Sequence, residues 1–352
     1  MTRKRIQFIA SVLISIFFLY LAFRNVPLRD LWEALSGVRY LWVVPFIGIT
    51  LVSMYFRTIR WKYLLEPVVQ APSYRFFPPL IICFALNGML PGRAGEFARA
   101  YLVARDHRVK FSSSLATVFV ERIADGIGLL ALFIAILAFV PINEEIQEQW
   151  GKWVIDANML RAASHQLLIV CVVLLGGTIL MLWRPFRRLV QAVIDRTPLA
   201  PRGLKDALNR FIDAFAQGLL SLRSPRIIFW VIVHTATVWL TVGWSLLIMS
   251  YGFPGMEMSF MQGMATSIII CVAILIPAAP GYWGLYEVGC ILALVVLGVV
   301  DHGPEGRAMA LSYSLVAHFF QICATVVPGL WFMWRRRMGL RELTRAEETQ
   351  AS

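Results

Sequence analysis

Apolar runs close to membrane-span length recur along the whole chain, separated by short polar connections. A helix needs about 20 apolar residues to cross a bilayer, within a usual range of about 17–25. The runs lie at 6–23, 41–56, 76–90, 115–140, 167–183, 227–250, 264–278, 285–300 and 311–334. This pattern predicts an all-α polytopic membrane protein with about eight membrane segments. Three runs, at 76–90, 264–278 and 285–300, are too short for ordinary spans, so we expect re-entrant or broken helices there.

Composition supports a membrane protein and disfavours the soluble enzyme classes. Apolar residues make up 59% of the 352 residues and charged residues 15%, whereas soluble domains carry about 25% charged residues. The five cysteines lie inside apolar runs without a CxxC pair, which is typical of small buried side chains. The chain carries no nucleotide-binding, hydrolase or metalloprotease motif. We therefore expect no enzyme, no cofactor and no metal site.

The net charge of +12 comes mostly from Lys and Arg in particular loops, where these residues determine membrane orientation. It does not indicate nucleic-acid binding. Most of the 33 Lys and Arg residues lie before the first run, in the connections 57–75, 91–114 and 184–226, or after the last run. Cytoplasmic loops are enriched in these residues, so we expect both termini in the cytoplasm and an inner-membrane location. Arg57, Arg60 and Lys62 count here as loop charges, and Arg122 as the one basic residue within a span. Because both flanking connections are basic, the 76–90 segment should enter and leave on the cytoplasmic side.

A proline–glycine turn occurs twice, each time after a short apolar run. The first reads PGRAGE at 91–96 and the second PGYWGLYE at 280–287. Proline ends a helix and glycine permits a tight turn, so each turn predicts a helical hairpin. Opposite openings would make an inverted repeat whose broken helices meet near mid-membrane, although Pro and Gly also recur by chance in membrane helices. The turn residues are Asn87, Pro91, Gly92, Gly95, Pro280, Gly281 and Gly284.

The domain organisation follows from these runs. We expect one transmembrane domain at 1–337, with halves at about 1–183 and 227–337 and a short cytoplasmic tail at 338–352. The linker at 184–226 contains apolar residues at helical spacing between 200 and 225, which predicts an amphipathic cytoplasmic helix.

Several ionisable residues lie in or beside the apolar runs, where charge is costly and usually functional or paired. Arginines suit phosphate, and the candidates for a lipid headgroup are Arg93, Arg99 and Arg122. The candidates for balancing charge or carrying protons are Glu96, Glu121, Asp125 and Glu287. A structural ion-pair cluster, or ordinary loop charge for the arginines, is the alternative. Glu287 has no Lys or Arg within ten residues and needs a distant partner, a substrate cation or a proton. His234 and His318 are interpreted as interhelical hydrogen-bonding residues.

Three stretches resemble one known family, the lysylphosphatidylglycerol synthase transmembrane region or flippase-like domain. They read NGMLPGRAGEFARAYL from Asn87, ATVFVERIAD from Ala116 and PGYWGLYE from Pro280. The third stretch departs from the family's usual turn, in which Arg is common at the position of Tyr286. Glu287 therefore lacks the local ion-pair partner that the family pattern implies. The resemblance implies an inner-membrane protein with re-entrant segments that is linked to moving lipid headgroups between leaflets. It also implies that this chain, ending at Ser352, lacks the synthase's soluble aminoacyl-transferase domain.

The sequence therefore favours a flippase for a phospholipid or a polyprenyl-phosphate-linked lipid. Its expected partners are membrane lipids and envelope-lipid biosynthetic enzymes, with no nucleic acid. The alternative is a non-transporting accessory subunit of an envelope-lipid or polysaccharide biosynthesis system. A membrane-embedded transferase that depends on a divalent metal is a third hypothesis, and it is disfavoured because no ligand set accompanies Glu121 and Asp125.

Overall fold

The computed structural model describes residues 3–24, 26–90, 94–139, 147–150, 153–156, 183–197, 224–275 and 280–338, with single positions between 166 and 182 and between 203 and 213. Within these ranges the fold is helical, apart from one short β-hairpin in the connection after the fourth predicted run. The helices are α1 (Arg3–Phe23), α2 (Leu28–Ser36), α3 (Val43–Leu65), α4 (Phe77–Met89), α5 (Ala94–His107), α6 (Phe111–Phe139), α7 (Arg184–Arg196), α8 (Pro225–Ser250), α9 (Phe260–Ala273), α10 (Leu285–Val296) and α11 (Pro304–Arg335). The antiparallel strands are β1 (Gln147–Trp150) and β2 (Trp153–Asp156).

Local sequence explains where several helices begin. Helix α8 begins at Pro225 and α11 at Pro304, and proline suits the first helical position because its missing N–H would have no intrahelical partner there. Helix α9 begins with a capping box, in which the Gln262 amide N–H donates to Ser259 Oγ at 3.2 Å. The Ser259 amide N–H in turn donates to Gln262 Oε1 at 2.8 Å.

The described helices have the lengths and surfaces of a polytopic membrane protein. Three are long and apolar enough to cross a bilayer, at Tyr40–Leu65, Pro225–Ser250 and Pro304–Arg335, and α1 with α2 would make a fourth as a pair bent by 86°. Large apolar side chains on these helices point outwards, including Val44, Ile232 and Val327, each more than 60% exposed. Such surfaces suit lipid rather than water. The count of eight segments and the side on which the termini lie stay predictions.

The short helix α4 lies at the centre of the bundle instead of on its lipid-facing surface. Leu80, Ile81 and Ile82 are fully buried. Helix α4 packs against α5 and along α11, while α3 packs along α8. A 13-residue helix is too short to cross the membrane, and this enclosure is what such a segment needs in a bilayer. Whether it re-enters the cytoplasm stays a prediction.

The second proline–glycine turn packs against α4, the helix that leads into the first turn. Helices α4 and α5 pack together as one pair of short helices, α9 and α10 as another, and the turn at Pro280–Tyr282 lies against α4. Gly281 has φ +73°, and a side chain there would meet the Gly88 carbonyl oxygen at 3.2 Å. Glycine is therefore required at this position both by its backbone and by the close approach. The inverted relation of the two halves, and the domain boundaries drawn from it, stay predictions.

Two sequence-based predictions about connections were wrong. Arg57, Arg60 and Lys62 lie on α3 and not in a loop, because the buried residues Trp61, Leu64 and Leu65 continue the helix. Arg122 is consequently not the sole basic residue within a membrane helix. The β-hairpin was not predicted. In the predicted linker, α7 is helical, while most of the amphipathic stretch between 200 and 225 falls outside the described residues.

Candidate functional site

Arg60 lies on α3 between two carboxylates of α6 and is fully buried. Its Nη2 is 3.0 Å from Glu121 Oε1, and its Nη1 is 2.6 Å from Asp125 Oδ1. Nη1 also donates a hydrogen bond to Thr235 Oγ1 on α8, at 3.1 Å. A buried guanidinium is costly unless its charge and its donors are met by partners. Arg60 therefore ties three helices together through one side chain.

Glu121 is shared between Arg60 and a second buried arginine, Arg99 of α5. Arg99 Nη1 lies 2.9 Å from Glu121 Oε2, and neither side chain is exposed. The Arg99 guanidinium lies 4.7 Å from the centre of the Trp61 ring, within the range of a cation–π interaction. Trp61 Nε1 donates in turn to Thr117 Oγ1 at 2.9 Å, which fixes the ring.

Arg122 and Arg57 complete the group and are less enclosed, with side chains 31% and 12% exposed. Arg122 Nη1 lies 3.4 Å from Asp125 Oδ2, and its Nε lies 3.7 Å from Glu96 Oε1. Arg57 Nη1 lies 3.8 Å from Asp125 Oδ2, and its guanidinium is 5.6 Å from the Phe84 ring centre. Among the four arginines of the group, these two have exposed surface, and the side chains of Glu96 and Asp125 beside them are 15% and 13% exposed.

We call these seven side chains the α3–α6 charge cluster: Arg57, Arg60, Arg99, Arg122, Glu96, Glu121 and Asp125. Four guanidinium groups and three carboxylates leave one excess positive charge when all are ionised. Several of the ion pairs are close in distance but poorly aligned. Among the described residues, no well-aligned hydrogen bond reaches the side-chain nitrogens of Arg99 or the Nε atoms of Arg57 and Arg122. Glu121 Oε2 and both carboxylate oxygens of Asp125 likewise lack a well-aligned hydrogen bond. The cluster therefore combines net positive charge with donors and acceptors that are close together but incompletely hydrogen-bonded.

The first proline–glycine turn holds α5 beside α4. Asn87 Oδ1 accepts a hydrogen bond from the Gly95 amide at 3.0 Å, which links the last turn of α4 to the first turn of α5. Gly95 lies directly against the Cys83 carbonyl oxygen, so any larger residue would push the two helices apart. The predicted turn residues Pro91 and Gly92 and the predicted ligand Arg93 lie outside the described residues.

Glu287 forms a second charged centre at the start of α10 and is fully buried. Its Oε2 accepts a hydrogen bond from the Gly284 amide at 2.5 Å, within the turn that follows Pro280. Its Oε1 lies 2.6 Å from Nδ1 of His318, on α11. Of the three possibilities that the sequence left for Glu287, the structure supplies a distant partner, a histidine 31 positions along the chain. We call this group the Glu287–His318 pair.

Two aromatic rings lie against the His318 imidazole. The Tyr286 ring is stacked on it at 4.0 Å between centres with an angle of 12°, and the Trp283 ring lies at 4.6 Å with an angle of 40°. His318 is 4% exposed. The sequence-based expectation of an interhelical hydrogen bond from His318 fits this geometry, and the aromatic contacts add to it.

The transmembrane-region model of lysylphosphatidylglycerol synthase matches residues 8–329 of the chain. The chain belongs to this family. As a member of the lysylphosphatidylglycerol synthase transmembrane-region family, it is similar to a UPF0104 membrane protein of Methanothermobacter thermautotrophicus, at 21% identity over 86% of this chain and 88% of that protein. It is also similar to the glycosyltransferase AglD of Haloferax volcanii, at 22% identity over 94% of this chain, although it spans only 54% of AglD's length. No solved structure matches.

In this family member, α5 and the middle of α6 carry five of the predicted charged residues. Arg99, Arg122, Glu96, Glu121 and Asp125 come together in the α3–α6 charge cluster, while Glu287 lies in a separate centre. Their roles stay predictions. The sequence-based interpretation missed Arg57 and Arg60. Their spacing of three positions, followed by Trp61, Leu64 and Leu65, is the signal of a continuing helix that could have revealed them.

Proposed function

We propose that this membrane protein moves an anionic lipid between leaflets of the inner membrane and holds its phosphate at the α3–α6 charge cluster. Arg122 and Arg57 contact the phosphate directly, because they are the less enclosed guanidinium groups. Arg60 and Arg99 are fully buried and hold Glu121 and Asp125 in place behind them. A catalytic role is not proposed for the chain.

The observation that carries this proposal is the excess positive charge of a buried cluster. Burying an unbalanced charge away from water is costly, so such a cluster attracts a counter-ion of opposite sign. Guanidinium groups form paired hydrogen bonds to phosphate oxygens, which makes phosphate the best-matched anionic group of a lipid. Membership of the lysylphosphatidylglycerol synthase transmembrane-region family adds support, because the synthase is named for a phospholipid product.

Reconstitution in liposomes tests the proposal. Fluorescent phosphatidylglycerol, a fluorescent zwitterionic phospholipid and a polyprenyl-phosphate lipid are each placed in one leaflet, and their appearance in the other is followed by dithionite quenching. We expect transfer of one or both anionic lipids, and a fall of about tenfold or more in Arg122→Gln and Arg57→Gln, consistent with loss of about 1.4 kcal/mol per charge-assisted contact.

Arg226→Gln is the matched control. Arg226 is also an arginine within 4 Å of a carboxylate, that of Glu66, but it is 70% exposed and lies outside the cluster. Its rate should match that of the wild type. Failure to transfer any of the three lipids, with a correctly folded protein, would contradict the proposal.

A second candidate function is a non-transporting membrane partner of a glycosyltransferase. One observation favours it: a relative that aligns with nearly all of this chain is named a glycosyltransferase and is almost twice as long as the aligned part. This candidate predicts that the chain co-elutes from mild detergent with an envelope glycosyltransferase, and that liposomes containing the chain alone transfer no lipid. Transfer by the purified chain, without such an enzyme, would instead favour the translocator.

A further inference from the structure

The Glu287–His318 pair is a buried titratable site that the lipid-binding cluster does not use. We propose that it is a proton-binding site, with the His318 imidazole as the group that takes up and releases the proton. The inference rests on the proposed function in one respect only, because it assigns proton exchange at this pair to the transport cycle. Proton binding itself stands on the geometry of the pair.

Hydrogen-bond geometry assigns the resting arrangement. The Gly284 amide can only donate, so Glu287 Oε2 accepts, which suits an ionised carboxylate. For an ionised Glu287 we assign the proton of the 2.6 Å contact to His318 Nδ1, so that Oε1 accepts. Nε2 is the remaining site on the imidazole ring. One proton from water adds to the Nε2 lone pair and returns to water on release, while the Nδ1 proton stays in its bond to Glu287.

The charge of the pair changes with that one proton. With Nε2 protonated, an imidazolium and a carboxylate cancel, and with Nε2 unprotonated the pair carries one negative charge. Glu287 is fully buried and His318 nearly so, and an uncompensated charge in such a place is costly. Exchange of the proton therefore alters the electrostatic free energy of the second turn far more than the same exchange at an exposed histidine would.

Aromatic faces favour the protonated form. The Tyr286 and Trp283 rings lie 4.0 and 4.6 Å from the His318 ring centre, and aromatic faces attract a cation within about 6 Å. A ring held in this way also keeps one orientation, so Nδ1 stays directed at Glu287. What distinguishes His318 from the equally aromatic-lined His234 is the carboxylate of Glu287 at 2.6 Å.

Basic residues are scarce in this half of the chain. From 227 to 334 the sequence contains one Lys or Arg, Arg307, in the first turn of α11. Tyr286 and Cys290 on α10 interact with Glu287, and Cys271 on α9 and Tyr313 on α11 lie near Tyr286. Phenols and thiols are ordinarily uncharged near neutral pH, so among these described neighbours His318 is the group that can bring a positive charge to Glu287.

The first test observes the proton directly and requires no transport. The protein is labelled with ¹⁵N-histidine, placed in phosphatidylglycerol nanodiscs, and the imidazole nitrogen shifts are followed from pH 5 to 8. His318→Gln identifies the His318 signal among the five histidines. We expect that signal to titrate in this range, and Glu287→Gln to lower its protonated fraction at a fixed pH by about threefold or more, because the attracting carboxylate is gone.

His234 is the matched control histidine, since it too is buried and lies against aromatic rings, those of Tyr63 and Trp230. Its signal should be unchanged by Glu287→Gln. Glu287→Gln keeps the size of the side chain and an oxygen for the Gly284 amide, so the turn should be retained. A His318 signal that does not titrate, or that is indifferent to Glu287→Gln, overturns the proposal.

The second test examines the link to transport. A pH gradient is imposed across the liposomes of the translocation assay, and the wild type is compared with His318→Gln and His234→Gln. We expect the gradient to change the wild-type and His234→Gln rates by about threefold or more and to leave the His318→Gln rate unchanged. An equal response in all three overturns the coupling. If the wild type moves no lipid at all, the proposed function fails, and the nanodisc titration alone decides whether the site binds a proton.

Discussion

The α3–α6 charge cluster and the Glu287–His318 pair satisfy buried charge in opposite ways. The cluster uses four arginines and three carboxylates from α3, α5 and α6, and each carboxylate has at least one arginine within 4 Å. The pair uses one carboxylate and one imidazole, with a backbone amide and two aromatic rings around them. A cluster of guanidinium groups keeps its charge at any physiological pH, whereas an imidazole does not. The first arrangement suits a fixed binding site and the second a site whose charge changes.

The largest effect should come from removing the central cation of the cluster. Arg60→Ala leaves Glu121 and Asp125 buried with less compensation, and losing one partner of a buried ion pair typically costs about 3–5 kcal/mol. The free energy of unfolding, measured by titration with sodium dodecyl sulfate in mixed micelles, should fall by that amount. Arg75→Ala, at an exposed arginine, is the control and should have almost no effect. A small effect of Arg60→Ala would mean that the cluster does not depend on its ion pairs.

The two centres can next be compared through the same substitution. Glu121→Gln removes a charge that faces Arg60, Arg99 and Arg122, and should destabilise by about 3 kcal/mol. Glu287→Gln retains its backbone hydrogen bond and loses one charge-assisted contact, so about 1.5 kcal/mol is expected. The same detergent titration measures both. Equal losses in the free energy of unfolding for the two variants would show that the two centres do not differ in how strongly they depend on their carboxylate charge.

The contact between the second turn and the last turn of α4 can be isolated with a pair of glycines. Gly281→Ala strains a positive φ and also meets the Gly88 carbonyl oxygen, and should cost about 2–3 kcal/mol. Gly298 has φ +64° but nothing within 4 Å of an added Cβ, so Gly298→Ala should cost only the backbone strain, about 1 kcal/mol. Unfolding titrations give the difference in the free energy of unfolding, which reports the contact between the second turn and α4. Equal costs would show that this contact contributes nothing to stability.

The smallest effect is expected where a charged pair is partly exposed. Arg336 Nη1 lies 2.6 Å from Asp106 Oδ2, joining the ends of α11 and α5, with side chains 25% and 29% exposed. Solvent screens such pairs, and Arg336→Ala should cost about 0–1 kcal/mol. Thermal unfolding in detergent should therefore shift by a few degrees at most. A cost like that of Arg60→Ala would mean that burial is not what separates the two kinds of ion pair.

Sequence reasoning located the membrane class, the short helix α4 and the turn at Pro280–Tyr282 because these depend on local patterns. Proline, glycine and the length of an apolar run act on their own part of the chain. Contacts between side chains on different helices could not be predicted from local patterns. His318 lies 31 positions from Glu287, and Arg60 lies 61 positions from Glu121, so no local spacing joins them. Charge alone predicts that α3 ends before Arg57 and Arg60. The helix continues because their apolar neighbours Trp61, Leu64 and Leu65 are buried.

The position of Arg60 on α3 also bears on how the chain is made. Synthesis runs from the N-terminus, so α3 leaves the ribosome before the carboxylates of α6 exist. The interval of 61 residues between Arg60 and Glu121 corresponds to about 3–12 s at roughly 5–20 residues per second. During that time Arg57 and Arg60, in the C-terminal part of an otherwise apolar helix, are without their final partners. A charge costs about 2.5–3.5 kcal/mol at the centre of a membrane helix and less towards its end. We therefore expect α3 to insert on its own apolar residues and to acquire its ion pairs only when α6 follows.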